Sequence, residues 1–190
     1  MKPFFKYYKV ILSSFWLIII LITPIISKSQ QYTEYELKAA YIFNFGKFVE
    51  WPSETFKKPN DPFIIGIYGN NPFSEIFQQT IQNKTIQNRP IIILNVITTE
   101  EASTCHILFI SKQNKLQLSQ LLQAINNKPI LTVGDNVEDF CRSGGIINFT
   151  SQYSQKRFEI NNKASARALL IISSKLLALS RIVTDEEIKF

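Results

Sequence analysis

Histidine and cysteine, which often act as catalytic bases and nucleophiles, are scarce in this sequence of 190 residues. The one histidine, His106, directly follows Cys105, and the second cysteine is Cys141. Nucleophilic catalysis needs a base beside the nucleophile, most often a histidine. Cys105 and His106 open a short apolar strand, on which neighbouring side chains point to opposite faces, so they cannot readily share a proton or a metal ion. We therefore expect a structural histidine, no catalytic residue, no metal site and no cofactor.

Two loops that follow apolar strands also contain polar residues. Asp135, Glu138 and Asp139 lie in one loop, and Gly69-Asn70-Asn71-Pro72 forms the other. Loops at the carboxyl ends of strands are where open α/β sheets bind ligands. The three acids lack the spacing of a cation-binding loop, and the glycine turn lacks the spacing of a phosphate-binding loop. We interpret both segments as ordinary connections.

Arg157 and Glu159 are two residues apart in a segment that is predicted to be a strand, so they share one face. That face is either a solvated outer surface or a polar recognition surface beside an aromatic patch. The second interpretation rests on the enrichment of arginine and aromatic residues at interface hot spots. Both interpretations remain open from the sequence.

A helix rich in aromatic residues is predicted to begin near Glu34 and to end at Trp51-Pro52. Thr33 and Glu36 have the spacing of a capping box at its start, and proline disfavours helix in the residue before it. Its apolar residues lie on more than one side, so the helix must be covered, either by its own sheet or by a partner. We expect these side chains to pack on the sheet: Leu37, Ala40, Tyr41 and Phe48. The predicted partner-binding residues are Phe43, Phe45, Trp51, Arg157 and Glu159.

Apolar strand-like and helix-like segments alternate through the rest of the chain. Strands are predicted at 63–68, 91–97, 106–110, 129–133 and 146–151, and helices after residue 72 and over 115–126. A hairpin strand over 156–160 and a helix over 164–179 follow. Strands separated by helices indicate parallel crossovers. The sequence therefore predicts an α/β fold: a single-domain layered sandwich with a mixed, largely parallel sheet, helices on both faces and a C-terminal hairpin plus helix.

The first 29 residues are typical of a secretory signal. Three lysines precede an apolar run from Val10 to Ile26, and the small-x-small exit Ser27-Lys28-Ser29 follows. We expect residues 1–29 to be removed, with retention as an N-terminal anchor as the alternative, and residues 30–190 to form one domain. Without the four basic residues of the signal, 17 basic and 15 acidic residues leave a net charge of +2. This near-balance argues against nucleic-acid binding.

The two cysteines are expected to stay unpaired. Cys105 precedes the third predicted strand and Cys141 follows the fourth, which places them at opposite edges of a parallel sheet. A disulfide needs Cα atoms within about 7 Å of each other.

Four stretches together resemble the YfiR-like family of exported bacterial proteins. They are residues 36–52 (from Glu-Leu-Lys-Ala-Ala-Tyr to Glu-Trp-Pro), 105–110 (Cys-His-Ile-Leu-Phe-Ile), 130–133 with 144–149 (Ile-Leu-Thr-Val and Gly-Gly-Ile-Ile-Asn-Phe), and 157–177 (from Arg-Phe-Glu-Ile-Asn to Ser-Lys-Leu-Leu). The resemblance implies a periplasmic α/β protein without catalysis that is often dimeric. It also implies binding to the periplasmic sensor domain of a membrane diguanylate cyclase, which lowers cyclic di-GMP. Cys105 and Cys141 match family cysteines that belong to different disulfides, and their partner cysteines are missing here.

The predicted function is therefore that of a non-enzymatic exported regulator in the periplasm. Its expected partners are a membrane signalling protein, of the diguanylate cyclase or sensor kinase class, and a second copy of the chain. Membrane association is expected only through the partner unless the signal is retained. The alternative is a periplasmic small-ligand binding protein that uses the loops after Tyr68, Val133 and Phe149 around Arg157. An unrecognised hydrolase ranks third, because the sequence has only one histidine.

Overall fold

A computed structural model describes residues 33–111, 113, 115–150 and 157–184. The predicted signal peptide, residues 1–29, lies outside the described residues. The helices are α1 (Glu34–Phe48), α2 (Ile76–Ile81), α3 (Thr99–Ala102), α4 (Lys115–Ala124), α5 (Asn162–Arg167) and α6 (Ser174–Ala178). The strands are β1 (Val49–Glu50), β2 (Phe63–Tyr68), β3 (Thr85–Ile86), β4 (Arg89–Val96), β5 (Ile107–Ile110), β6 (Leu131–Asp135), β7 (Ile147–Phe149), β8 (Phe158–Ile160), β9 (Ile171–Ile172) and β10 (Arg181–Ile182).

An eight-stranded sheet forms the centre of the fold, with the strand order β10-β8-β7-β6-β5-β2-β4-β3. The five central strands β7, β6, β5, β2 and β4 run parallel. The pairs β3–β4 and β7–β8 are antiparallel, so the sheet is mixed. The predicted α/β class and the C-terminal hairpin are therefore confirmed.

Each face of the sheet carries its own apolar layer. One core contains buried side chains from α1, α2, α5 and α6, and the other contains buried side chains from α3 and α4. The central strands are apolar on both faces because helices cover both of them. Side chains of β4 illustrate this alternation, since Ile93 packs on the first core and Leu94 on the second.

Helix α1 begins as predicted and ends three residues early. Thr33 Oγ1 accepts a hydrogen bond from the Glu36 N–H at 3.3 Å, and the Glu36 carboxylate accepts one from the Thr33 N–H at 2.5 Å. Residues 49–50, which were predicted to continue the helix, instead form β1 and pair with β9. The prediction that Phe48 packs on the sheet is wrong, because its side chain is 39% exposed.

The prediction of one continuous helix over 164–179 is wrong, because the segment is interrupted in its middle. It divides into α5 and α6, with β9 between them. Leu169 has a φ of 57°, in the left-handed region that interrupts a right-handed helix. Pairing of Ile171 and Ile172 with β1 supplies the backbone hydrogen bonds that a helix would otherwise make.

A short hairpin at one edge of the sheet was not predicted. Gln87 and Asn88 both have positive φ (50° and 61°), as a two-residue type I′ turn requires, and they join β3 to β4. Ile86 of this hairpin lies against α1 at Gly46. A Cβ on Gly46 would stand 2.5 Å from Ile86 Cδ1, so a larger residue there would require the Ile86 side chain to shift.

Candidate functional site

The predicted partner-binding residues of the first helix lie mostly inside the fold. Phe45 is fully buried, and its ring centroid lies 5.2 Å from that of Phe158. Trp51 is 9% exposed, and its Nε1–H donates to the Pro129 carbonyl oxygen at 3.0 Å. These two side chains have no free face for a partner, whereas Phe43 is only partly buried. Sequence spacing could not separate them, because the apolar residues surround the helix.

Arg157 and Glu159, the predicted pair on the hairpin strand, differ in their exposure. The Glu159 side chain is buried and receives hydrogen bonds from Asn148 Nδ2 at 3.4 Å and from Arg181 Nη1 at 3.2 Å. Its charge is therefore compensated within the fold, and it is not available to a partner. Arg157 is exposed at the start of the same strand, so the candidate recognition role stays with Arg157 alone.

The outer face of the β1–β9 ribbon presents one charged and one apolar side chain. Val49 pairs with Ile172, and both side chains are buried. Neighbouring residues on a strand point to opposite sides, so the paired residues Glu50 and Ile171 point outward. Phe48 precedes this ribbon as the last residue of α1. Phe48 is 39% exposed and Ile171 is 66% exposed.

Leu169 is a further exposed apolar residue, at 61% exposure. It stands two residues before Ile171, at the positive-φ position that ends α5. We name Phe48, Leu169 and Ile171 the docking surface. Clustered exposed apolar side chains mark interaction sites more often than isolated ones do. None of these exposures could be read from the sequence, because they depend on the unpredicted ribbon.

A cavity of about 350 Å³ lies between α1 and the β7–β8 hairpin, at the carboxyl ends of β6 and β7. Its lining residues are Glu34, Leu37, Lys38, Tyr41, Asn136, Phe149, Thr150 and Arg157. The loops after Val133 and Phe149 contribute to it, as the ligand-binding alternative expected, and the loop after Tyr68 does not. Among the described residues, the buried Thr150 Oγ1 has no hydrogen-bond partner.

Lys38, which lines this cavity, takes part in an ion pair that the sequence did not suggest. Lys38 Nζ lies 2.5 Å from Asp135 Oδ1, and both side chains are only 11% exposed. Lys38 also pairs with Glu34. Burial alone would lower the pKa of Lys38, but its hydrogen bonds to Asp135 and Glu34 outweigh burial and raise the pKa. Burial and the neighbouring Asp135 charge raise the pKa of Tyr35, whose hydroxyl lies 3.4 Å from Asp135 Oδ2.

The two cysteines are free, buried and poorly suited to nucleophilic chemistry. Burial raises the pKa of Cys105 to about 11. Burial also raises the pKa of Cys141 well above its usual value. The thiolate is the reactive form, so both thiols are inert at neutral pH.

His106 is part of a stack of flat groups. Its ring centroid lies 4.6 Å from that of Phe56 and 4.9 Å from that of Phe63. The Arg89 guanidinium covers the Phe56 ring at 3.9 Å. His106 Nδ1 accepts a hydrogen bond from the Ile64 N–H at 2.9 Å. Burial first, and then the Arg89 charge, lower the pKa of His106 to about 4, so the imidazole is neutral at pH 7.

The described residues contain neither a cluster of metal ligands nor a helix suited to cross a membrane. No group of three histidine, cysteine, aspartate or glutamate side chains there could hold a metal ion. No helix in that part of the chain is long and apolar enough to cross a membrane.

Comparison of the sequence with known protein families gives a match. The sequence profile of a family described as YfiR/HmsC-like matches residues 35–181. That range includes α1 and the cavity lining apart from Glu34, the docking surface, and the central sheet apart from Ile182. No curated protein matches the chain.

Proposed function

The chain belongs to the YfiR/HmsC-like family, and on that premise we propose that it is a non-enzymatic periplasmic regulator of a membrane signalling protein. It binds the exported sensor domain of that protein, of the diguanylate cyclase class, and so lowers cyclic di-GMP. The buried, protonated thiols and the neutral, stacked imidazole are consistent with a binding role. Phe43 and Arg157 remain accessory candidates for the partner contact.

The docking surface is the observation that carries this proposal. A ribbon of two residues per strand is too short to be stable by itself, so burial of Val49 and Ile172 in the core must support it. Ile171 on this ribbon, with Phe48 and Leu169 beside it in the sequence, is nevertheless exposed to water, although buried positions would stabilise these side chains. A partner that covers these side chains would stabilise the complex by about 25 cal/mol for each Å² of apolar area removed from water.

The test is direct binding between the purified chain and the exported domain of a co-purified membrane signalling protein. Ile171→Glu places a charge in the docking surface and should weaken binding at least about tenfold, since a buried unpaired charge is unfavourable. Leu116→Glu is the matched control. Leu116 is 68% exposed on α4, which covers the opposite face of the sheet. Equal affinity of the two variants would contradict the proposed surface.

A second candidate function is small-ligand binding in the cavity between α1 and the hairpin. The exposed Arg157, the Tyr41 and Phe149 rings and the Thr150 hydroxyl, which has no partner within the described ranges, favour a small molecule with an apolar body and an anionic group. Calorimetry of the protein against a metabolite panel tests this. A saturable site that Arg157→Ala weakens would support it, and the absence of saturable binding across anionic metabolites would oppose it.

A further inference from the structure

Strand β4 leaves most of one backbone edge open. On one side it pairs with β2 over all six residues from Ile91 to Val96. On the other side β3 covers only Arg89 and Pro90. Within the part of the chain that the structure describes, no further strand pairs with this second side. The open edge therefore runs from Ile91 onward.

The hairpin geometry identifies which backbone groups face outward. In a two-residue hairpin the residues that flank the turn form a hydrogen-bonded pair, so the backbone groups of Arg89 face β3. Strand residues alternate in the direction of these groups. The N–H and C=O groups of Ile91, Ile93 and Asn95 consequently face away from β2. None of them bonds to another described element.

This edge lacks the usual protection against pairing. Natural edge strands carry lysines, prolines or bulges that block a further strand. From Ile91 to Thr99 the sequence contains no charged residue and no proline. The apolar surface is also exposed here, since Ile92 is 48% and Ile97 is 82% exposed. An edge of this kind favours a paired strand.

We propose that a second copy of this chain pairs with β4 in an antiparallel, two-fold symmetric arrangement centred on Ile93. Ile93 then pairs with the same residue of the second copy, and Ile91 pairs with Asn95 in both directions. The outward groups of these three residues supply all the hydrogen bonds of the ladder. The two central sheets become one continuous sheet. This inference does not depend on the proposed signalling partner.

The limits of the open edge fix the register. At one end β3 occupies Arg89 and Pro90. At the other end the Ile97 N–H donates to Glu101 Oε2 at 2.8 Å, so it is not available to the ladder. The midpoint of the free segment between these limits is Ile93. A shift towards either end would bring the second copy against β3 or against the start of α3.

The absence of charged residues along the open edge of β4 favours pairing with a second copy of the chain over pairing with a different protein. A two-fold interface places the same strand opposite itself, so any charge would face a like charge near the axis. The segment carries no charge, so self-pairing has no repulsion to overcome. In this register the half-exposed Ile92 lies opposite Leu94 of the second copy. Pairing therefore buries apolar surface that the single chain leaves in water.

Cysteine cross-linking tests the register. Ile93→Cys places two thiols across the axis, with Cα atoms about 5.5 Å apart, which permits a disulfide. Asn95→Cys is the matched control, because its copy lies about 13 Å further along the strand. We expect a covalent dimer from Ile93→Cys after mild oxidation and none from Asn95→Cys or the wild type, whose own cysteines are buried. Equal cross-linking of the two variants would overturn the register.

Light scattering over a dilution series tests the dimer itself. Ile93→Pro removes one outward N–H without removing a bond to β2, so it should yield a folded monomer. Ile92→Lys, at a half-exposed position, should raise the dimer dissociation constant at least about tenfold even if the proline variant fails to fold. A monomeric wild type at all concentrations would overturn the proposal. So would a dimer that Ile92→Lys leaves unchanged.

Discussion

Protonation of His106 should couple the stability of the fold to pH. The imidazole is 8% exposed and stacks against both Phe56 and Phe63. Its Nδ1 already accepts the Ile64 N–H, so the neutral ring carries its proton on Nε2. Charging the ring requires a proton at Nδ1, where the Ile64 N–H now points. That requirement breaks a hydrogen bond to β2 and places a charge in an apolar stack near Arg89.

The size of the effect follows from the pKa difference. The pKa of His106 is about 4 in the folded protein against 6.5 for an unperturbed histidine. Above pH 6.5 neither state binds the proton, so the stability is at its full value. Between pH 6.5 and about pH 4 the unfolded chain binds a proton at His106, whereas the folded protein does not. The free energy of unfolding therefore falls by about 1.4 kcal/mol per pH unit in this window, or about 2 kcal/mol between pH 7.5 and 5.

Urea denaturation of the wild type and His106→Asn at these two pH values measures the effect. The asparagine carbonyl oxygen can still accept the Ile64 N–H, but it does not titrate. Other titrating groups are common to both proteins and cancel in the comparison. The wild type should lose about 2 kcal/mol more than His106→Asn on acidification. If both proteins lose the same stability, the fold does not hold His106 in its neutral form.

Four further outcomes follow from the packing, each measurable by denaturation or thiol titration. Thr33→Ala should cost about 1 kcal/mol through loss of the helix cap, and Thr33→Ser should not. Phe45→Ala should cost about 4 kcal/mol and Phe48→Ala less than about 1 kcal/mol, because only the first side chain is fully buried; equal costs would contradict the assignment. Lys38→Met should lower the free energy of unfolding by about 3 kcal/mol, because it leaves the Asp135 charge unpaired at 11% exposure. An unchanged stability would show that water compensates this charge. Both cysteines should resist a thiol reagent in the native protein and react in denaturant; a chain that reacts in neither state would be disulfide-bonded.

The central sheet could be predicted because its strands are continuous apolar runs. Residues 63–68, which are buried on both faces, coincide with β2 as predicted. The capping box of Thr33 and Glu36 likewise fixed the start of α1 from local chemistry. A second capping box, Thr98 with Glu101, begins α3 and has the same spacing in the sequence.

The remaining elements depend on contacts between distant residues. The ribbon forms because Val49 meets Ile172, and no local pattern places those segments together. The same pairing divides the predicted C-terminal helix at Leu169. The ion pair between Lys38 and Asp135 joins α1 to the end of β6, 97 residues apart, so neither residue signals the other in the sequence. The docking surface and the cavity therefore required the structure.

The regulatory role is tested most directly by the cyclic di-GMP level of the source cells. Deletion of the gene should raise this level, and export of the wild-type chain should restore it. Export of Ile171→Glu to the same amount should fail to restore it, while Leu116→Glu should succeed. A cyclic di-GMP level that does not respond to deletion, or that Ile171→Glu restores fully, would contradict the proposed regulator and its docking surface.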